Sequence, residues 1–563
     1  MKKFFYIFAF SALFVSAVVP AFSFQLVDTA NYSVVATIKP SDIPEWPDSV
    51  AAWRVYGPYD LDNNGKKEIL VMVDPETASA NGDTAETRVL RFEVTGDNQF
   101  NLVWSAVVPS PNPGEFDWPC LAVSDLDHDG NQEIIVGTPR GSSSDPSAEY
   151  VFIYEYDPDL KNFPTSPTMS SKLGFPEGFE YQITSIVPMD IDNDGDIELI
   201  CSARHAYGGG MLNSAMRPLY IFRLLGDIGD PFSSFDVEYT DTTSLAVNGG
   251  YYFNNHVLDY DGNGKMDIFA FTWDMLSFAV YECTGPDSYE LKANIDQVEA
   301  PDDYGEQNSV GFFDANHDGK PEMFLAGQVS PPSAVFYLPN ISPVDSIKAS
   351  DVKRITPVLG GANFQGAEVG DPDNDGNVDM FIGDWNKPII YHLEHIDGMT
   401  FEDSSGYTFD TLYYIPDDSN SLRNVNIMSD LDGDGKNEII IVNSELWASR
   451  PNDAGLIILE SKVATTGVKT IAGQSPATFT LSQNYPNPFN PTSTIRFSID
   501  RSAEVHLYIT NALGQRVATL LDRKMDQGVH EVTFNASGLA SGAYFYTLKS
   551  GNNIQTKKMI LMK

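Results

Sequence analysis

Seven short segments of this chain repeat one arrangement of oxygen-bearing side chains. They begin at Asp60, Asp125, Asp190, Asp259, Asp314, Asp371 and Asp430, and read DLDNNGKKE, DLDHDGNQE, DIDNDGDIE, DYDGNGKMD, DANHDGKPE, DPDNDGNVD and DLDGDGKNE. Positions 1, 3 and 5 are always Asp or Asn, position 6 is always Gly, and position 9 is always Asp or Glu. Alternate positions turn their oxygens to one side, and Gly at position 6 permits the positive φ that wraps the loop around them. The carbonyl of position 7 and the carboxylate of position 9 complete an oxygen cage. Six or seven hard oxygens without nitrogen or sulfur favour Ca²⁺ over Zn²⁺ or Cu²⁺.

The expected donors of loop 1 are Asp60, Asp62, Asn64 and Glu68 with the carbonyl of Lys66, and those of loop 2 are Asp125, Asp127, Asp129 and Glu133 with Asn131. Loop 3 offers Asp190, Asp192, Asp194 and Glu198 with Asp196, and loop 4 offers Asp259, Asp261, Asn263 and Asp267 with Lys265. Loop 5 has Asp314, Asn316, Asp318 and Glu322 with Lys320; loop 6 has Asp371, Asp373, Asp375 and Asp379 with Asn377. Loop 7 has Asp430, Asp432, Asp434 and Glu438 with Lys436. Up to seven structural Ca²⁺ are expected, with weaker binding in loops 1, 4 and 5, where an Asn replaces a charged donor.

The elements that must hold these loops are strands. An EF-hand needs a bidentate Glu at position 12 and flanking helices; here position 12 is Val71, Val136, Cys201, Ala270, Leu325, Ile382 or Ile441. The segments that follow, such as Glu133 to Gly137 and Glu438 to Val442, are buried-strand sequences, so each loop closes a β-hairpin. First aspartates recur every 55–69 residues, room for about four strands, the make-up of a propeller blade. The sequence therefore predicts an all-β chain, a seven-bladed β-propeller over 24–464 followed by a small Ig-like β-sandwich. The last repeat is one strand short, and an unassigned strand, Tyr32 to Lys39, precedes the first loop. Pairing the two would close the ring and remove an exposed edge. The DxDxDG hairpins with short apolar strands resemble the FG-GAP/VCBS repeats of integrin α-type calcium propellers, over most of residues 40 to 460.

Charge divides the 563-residue chain, which has a net charge of −43. Residues 24–477 carry 73 acids against 24 bases, whereas 478–563 carry nine bases against five acids. Such an acid surplus argues against nucleic-acid partners. The three cysteines, Cys120, Cys201 and Cys283, lie in apolar runs and read as small buried hydrophobes rather than a disulfide framework. Lys2 and Lys3, the apolar stretch Phe4 to Val19 and Ala21-Phe22-Ser23 have the parts of a cleaved signal peptide, residues 1–23. No later stretch is apolar enough to span a membrane. Residues 465–477 read as a linker.

The tail from 478 has short alternating strands separated by turn residues. Tyr485-Pro-Asn-Pro-Phe-Asn-Pro491, Thr494-Ile-Arg-Phe497, Leu513-Gly-Gln-Arg-Val517, Ala536 to Gly542 with Tyr544-Phe-Tyr546, and Lys558 to Lys563 stand in order. This set resembles the C-terminal sorting domain of type IX secretion cargo. The resemblance implies export through the outer membrane, the secretion machinery as partner, and a secreted or surface-held product.

Two functions remain in view. Trp53, Trp118, Tyr252, Phe364 and Arg423 stand seven residues before a first aspartate, with Tyr181 nearby. Such residues on the face opposite the loops would suit an extracellular glycan or protein ligand by stacking and a few polar contacts; they would equally pack between blades. The alternative is a polysaccharide-degrading enzyme, a lyase or hydrolase, which rests on analogy with calcium propellers of that activity. His392-Leu-Glu-His395 lacks the i, i+4 spacing of a zinc helix and reads as a strand with its histidines on opposite faces. No nucleophile elbow, phosphate loop or dinucleotide fingerprint is present.

Overall fold

The computed structural model describes residues 25–26 and most of 31–562. It leaves out 47–49, 75–85, 110–118, 138–148, 174–179, 208–209, 212–218, 242–251, 273–276, 296–309, 328–332, 357–363, 416–421, 445–453, 463–467, 472–478 and scattered shorter positions. The signal-peptide residues and Trp118 lie outside the described residues. Among those described there is no α-helix, only strands and short 3-10 turns, and no helix is long and apolar enough to cross a membrane.

Residues before 462 form small antiparallel sheets, each built from a loop-closed hairpin and two further strands. The first sheet is Ala51–Tyr59, Glu68–Asp74, Arg88–Gly96 and Gln99–Val107. The second is Cys120–Ser124, Glu133–Gly137, Val151–Glu155 and Met169–Ser171. The third is Glu180–Met189, Glu198–Tyr207, Leu219–Leu225 and Ser234–Asp241, with Gly210–Met211 paired to the end of the second of these. The fourth is Tyr252–Leu258, Asp267–Thr272, Phe278–Gly285 and Ser288–Ile295. The fifth is Val310–Phe313, Glu322–Gly327, Ala334–Leu338 and Lys353–Arg354. The sixth is Phe364–Gly370, Asp379–Asp384, Ile389–His395 and Tyr407–Tyr414. In the seventh, Leu422–Met428, Glu438–Asn443 and Leu456–Ser461 are completed by Tyr32–Ile38. A single pair, Asp384 with Leu422, joins the sixth and seventh.

Second strands are apolar along their length because both faces are covered. Glu438–Asn443 and Asp267–Thr272 are buried at every position. Their side chains pack against the neighbouring sheets on either side. One core cluster joins Leu70 and Met72 of the first sheet to Ile134 and Val136 of the second. Another joins Ile69 and Val71 to Ile440 and Val442 of the seventh. Small four-stranded sheets stacked face to face in this way form a β-propeller-like fold. The three cysteines are buried and unpaired, as their apolar runs require.

The N-terminal strand lies where the missing strand of the last repeat was expected. Tyr32–Ile38 runs antiparallel to Leu456–Ser461, from Tyr32 opposite Ser461 to Ile38 opposite Leu456. A contact absent from the sequence reading is Gln25–Leu26, which pairs with Tyr413 and Tyr414 at the outer edge of the sixth sheet.

First strands are bent by bulges close to the level where a ligand ring was expected. Register shifts fall between Ala52 and Arg54, between Gln365 and Ala367, and between Leu422 and Asn424. Gly366 sits in one of these at φ +65°, and a Cβ there would stand 2.0 Å from the carbonyl oxygen of Arg423. Gly366→Ala is therefore expected to destabilise the fold by more than about 2 kcal/mol, since strain and a backbone clash add. A shift in the denaturation midpoint would measure it, and an unchanged midpoint would count against this packing.

The tail forms two further four-stranded sheets around one core cluster. One contains Thr492–Ile499 and Gly528–Asn535, and the other contains Ala503–Asn511, Gly542–Ser550 and Asn553–Leu561. Val468–Ile471, within the stretch read as linker, pairs with Gly528–Asn535 and so extends the first of these sheets.

Candidate functional site

Each repeated loop joins the first strand of its sheet to the second, which places position 9 at the start of a buried strand. Gly at position 6 is in the left-handed region, as at Gly65 (φ 84°), Gly130 (φ 92°) and Gly195 (φ 101°). Position 4 is left-handed too, at Asn63 (φ 54°), His128 (φ 59°), Asn193 (φ 62°), Gly262 (φ 72°), His317 (φ 58°) and Gly433 (φ 81°). The sequence reading missed this, although Asn, His and Gly at position 4 are residues that tolerate that region.

With both kinks in place, backbone N–H groups turn inward and orient the carboxylates. The Gly130 N–H donates to Asp125 at 3.2 Å, and the Asn131 N–H donates to Asp129 at 2.7 Å. The N–H of position 2 donates to the position-9 carboxylate: Leu61 to Glu68 (2.8 Å), Leu126 to Glu133 (2.6 Å), Ile191 to Glu198 (2.9 Å), and Leu431 to Glu438 (2.7 Å). Tyr260 and Ala315 do the same for Asp267 and Glu322. In loop 6 position 2 is Pro372, which has no N–H. His392 Nε2 lies 2.7 Å from Asp379 Oδ1 in its place, with its ring stacked on Phe381 at 4.6 Å. The histidine set aside in the sequence reading thus touches an expected donor; its pairing across the sheet with Phe381 is not visible in linear spacing.

The second oxygen of several position-9 carboxylates has no protein partner. Glu133 Oε1, Glu198 Oε1, Asp267 Oδ1 and Glu438 Oε1 are buried without a hydrogen bond, on residues at most 1% exposed. Asp60, Asp62 and Glu68 hold oxygens within 4.8 Å of one another, as do Asp125, Asp127 and Glu133. Convergent hard oxygens with a bare, buried carboxylate oxygen, as in the Asp125, Asp127 and Glu133 group, fit a divalent cation of the calcium type.

Burial, reinforced by neighbouring loop carboxylates, pushes Glu133 and Glu198 up to about 8, Glu438 to about 9 and Asp267 to about 7. A raised carboxyl keeps its proton in the fold at a pH where the unfolded chain has released it. Stability of the metal-free protein therefore falls as pH rises from about 4.5 through 7–9. Melting of chelator-treated protein across that range should show a steady decline; a flat profile would contradict it.

Position 3 reaches the adjacent sheet. Asp127 Oδ2 accepts from the Ile228 N–H of the third sheet (2.7 Å), and Asp192 Oδ2 from the Asp287 N–H of the fourth (2.8 Å). Asp261 Oδ2 accepts from the Val344 N–H that follows the third strand of the fifth sheet (3.3 Å). Asp432 Oδ2 accepts from the Asn98 N–H (2.8 Å), linking the seventh sheet to the first.

Position 7 is paired electrostatically with the third strand. Lys66 meets Glu93 at 2.6 Å and Lys265 meets Glu282 at 2.7 Å, and Lys436 pairs with Glu460. In loop 3 the signs are exchanged, with Asp196 beside Arg223 at 3.8 Å. Each part-exposed pair is worth about 1 kcal/mol or less. The signal was present in the comparison of repeats, since Lys at position 7 recurs with an acid on the third strand.

Of the expected ligand residues, the three whose side chains are described are buried. Trp53 is 3% exposed, Arg423 2% and Phe364 0%. Phe364 packs against Tyr391 and Phe409. Trp53 and Arg423 are the extra residues at the bulges of their strands. Tyr181 and Tyr252 lie at the starts of first strands. Trp53, Phe364 and Arg423 are thus buried, and Phe364 belongs to the core cluster between the fifth and sixth sheets.

Comparison with known proteins locates one domain. The family profile described as secretion system C-terminal sorting domain matches residues 483–562. No curated protein matches the chain. Among solved structures, a fungal AA5-family alcohol oxidase in complex with copper is 12% identical with a TM-score of 0.41, covering 94% of this chain and 100% of its own. PorZ, a surface component of the type IX secretion system of Porphyromonas gingivalis, is 10% identical with a TM-score of 0.25, covering 88% of this chain and 74% of its own. A β-fructofuranosidase from Schwanniomyces occidentalis is 9% identical with a TM-score of 0.29, covering 91% and 97%. Likeness at this level leaves activity to be argued from the site. Residues 483–562 are a type IX secretion C-terminal sorting domain, and the chain that carries it is a cargo of that machinery, exported to the cell surface or beyond.

Proposed function

We propose that the exported chain is a calcium-stabilised, seven-bladed propeller of the FG-GAP/VCBS kind that serves as a non-catalytic binding module for an extracellular glycan or protein. The observation that carries this reading is the repeated oxygen loop, with its bare buried carboxylate oxygen and its link to the next sheet. That arrangement uses cations to hold a scaffold rather than to activate a substrate. Core clusters join each sheet to both neighbours, the seventh to the first included, which supports seven blades in a closed ring. First strands of the second and third, third and fourth, fifth and sixth, sixth and seventh, and seventh and first sheets lie against one another, as strands around a common centre would. Tyr56, Asn254, Phe312 and Asn426 on those strands are half-buried and suit a ligand better than the fully packed Trp53 and Phe364.

One observation favours an enzyme as the second reading. Glu368, on the first strand of the sixth sheet, is held up to about 8 by burial, a value that suits a general acid. A panel of polysaccharides separates the two, with binding and product release followed on the calcium-loaded chain. Binding without turnover, weakened at least tenfold by Tyr56→Ala, supports the module. Turnover abolished by Glu368→Gln supports the enzyme and overturns the module.

A further inference from the structure

The seven loops are not equivalent, and one register position separates them. Two residues beyond position 9, the second strand faces a third-strand residue that is Ile153, Ile221, Val280, Tyr337 or Ile458 in five of the sheets. In the first sheet that residue is Arg91, opposite Leu70. Arg91 is 1% exposed. Its Nη2 donates to Asp62 Oδ2 at 2.7 Å and to Glu68 Oε1 at 3.0 Å. Nη1 donates to Asn162 Oδ1 of the second sheet at 3.2 Å, and the guanidinium lies 5.6 Å from the centre of the Phe163 ring.

Those two carboxylate oxygens have different partners elsewhere. In loops 2, 3, 4, 6 and 7 a position-9 oxygen is bare at Glu133, Glu198, Asp267, Asp379 and Glu438. In four of these, loops 2, 3, 4 and 7, the outer position-3 oxygen also accepts a backbone N–H from the next sheet. In loop 1 both oxygens belong to Arg91. Resting on the calcium reading above, we infer that Arg91 is the resident cation of the first loop, which takes no metal ion, while loops 2, 3, 4 and 7 each take one. A guanidinium cannot be deprotonated at any pH a protein meets. It is buried and held at once by Asp62, Glu68 and Asn162. A Ca²⁺ bound to Asp62 and Glu68 at about 2.4 Å would stand against this fixed positive charge. Loop 5 is partly self-satisfied, since Asn316 Nδ2 donates to Glu322 Oε1 at 2.6 Å; in loop 6 His392 meets only Asp379 Oδ1 and leaves Oδ2 bare. The junction of the first and second sheets is thereby held without an ion, through the Asn162 and Phe163 contacts of the same guanidinium.

Counting ions tests the assignment. The secreted full chain is stripped with a chelator, desalted, titrated with CaCl₂ alone and weighed by native mass spectrometry. Asp125→Ala should lower the saturating count by one ion, whereas the matched Asp60→Ala should leave it unchanged. Arg91→Met, which removes the charge but keeps a filled volume, should raise the count by one. Loss of an ion in Asp60→Ala would overturn the inference, as would a folded Arg91→Met protein with an unchanged count. If Arg91→Met fails to fold, the comparison of Asp60→Ala with Asp125→Ala still decides. A wild-type chain that binds no calcium at all would overturn the calcium reading itself, an outcome distinct from a count that falls in the wrong variant.

Discussion

Removing calcium from the secreted chain should lower its melting temperature by roughly 10 °C. The size of the effect follows from mass action. An extracellular calcium module with a Kd of about 10⁻⁴ M, in about 1 mM calcium, is stabilised by about 1.4 kcal/mol per site. Four occupied loops give about 6 kcal/mol, and a propeller of this size loses a degree or two for each. Repulsion acts in the same direction, because 25 of the chain's 78 acids occupy loop positions 1, 3, 5 and 9. The acids at position 9 are buried, where an unpaired charge is most costly. Scanning calorimetry with and without a chelator measures the change, and added calcium should restore the original curve. Superimposable curves would remove calcium from the account of this fold.

Deleting residues 24–39 should have the second large effect. Tyr32 is fully buried and meets Phe381 and His392 edge-on at 5.9 and 6.2 Å. Ile38 packs in the cluster that joins the seventh sheet to the first. Burial of two such side chains contributes about 4 kcal/mol, and the strand also satisfies the outer edge of Leu456–Ser461. Without it that edge is open and apolar, a template for pairing with other chains. Size-exclusion chromatography with light scattering should find oligomers or aggregate, and any remaining monomer should melt earlier. A synthetic peptide spanning residues 30–40 should partly restore the monomer. A truncated chain that stays monomeric with an unchanged melting curve would show that the strand is dispensable.

Much of this was legible in the linear chain because it rests on local chemistry. Gly at position 6, alternating Asp and Asn, and the apolar run after position 9 are short-range signals, and each loop does close a hairpin between strands. The tail motifs are equally local and identified the sorting domain. Tyr32 to Lys39 was foreseen by counting strands, since a repeat one strand short requires a partner from elsewhere.

What the linear chain concealed depends on cross-strand register and on which sheet faces which. Trp53, Phe364 and Arg423 have the chemistry of a ligand surface, but bulges in the first strands and the approach of neighbouring sheets bury them. Arg91 stands 23 residues from Glu68, too far for any spacing rule to connect them, yet antiparallel pairing brings its guanidinium into the loop. His392 reaches Asp379 by the same geometry and replaces the N–H that Pro372 cannot offer. The sequence by itself determined the strand class, the seven oxygen loops and the export address, because each is written in residues a few positions apart. Only the tertiary structure decided which loops keep a bare oxygen and which are satisfied from within, since that depends on side chains brought across a sheet or from the next one.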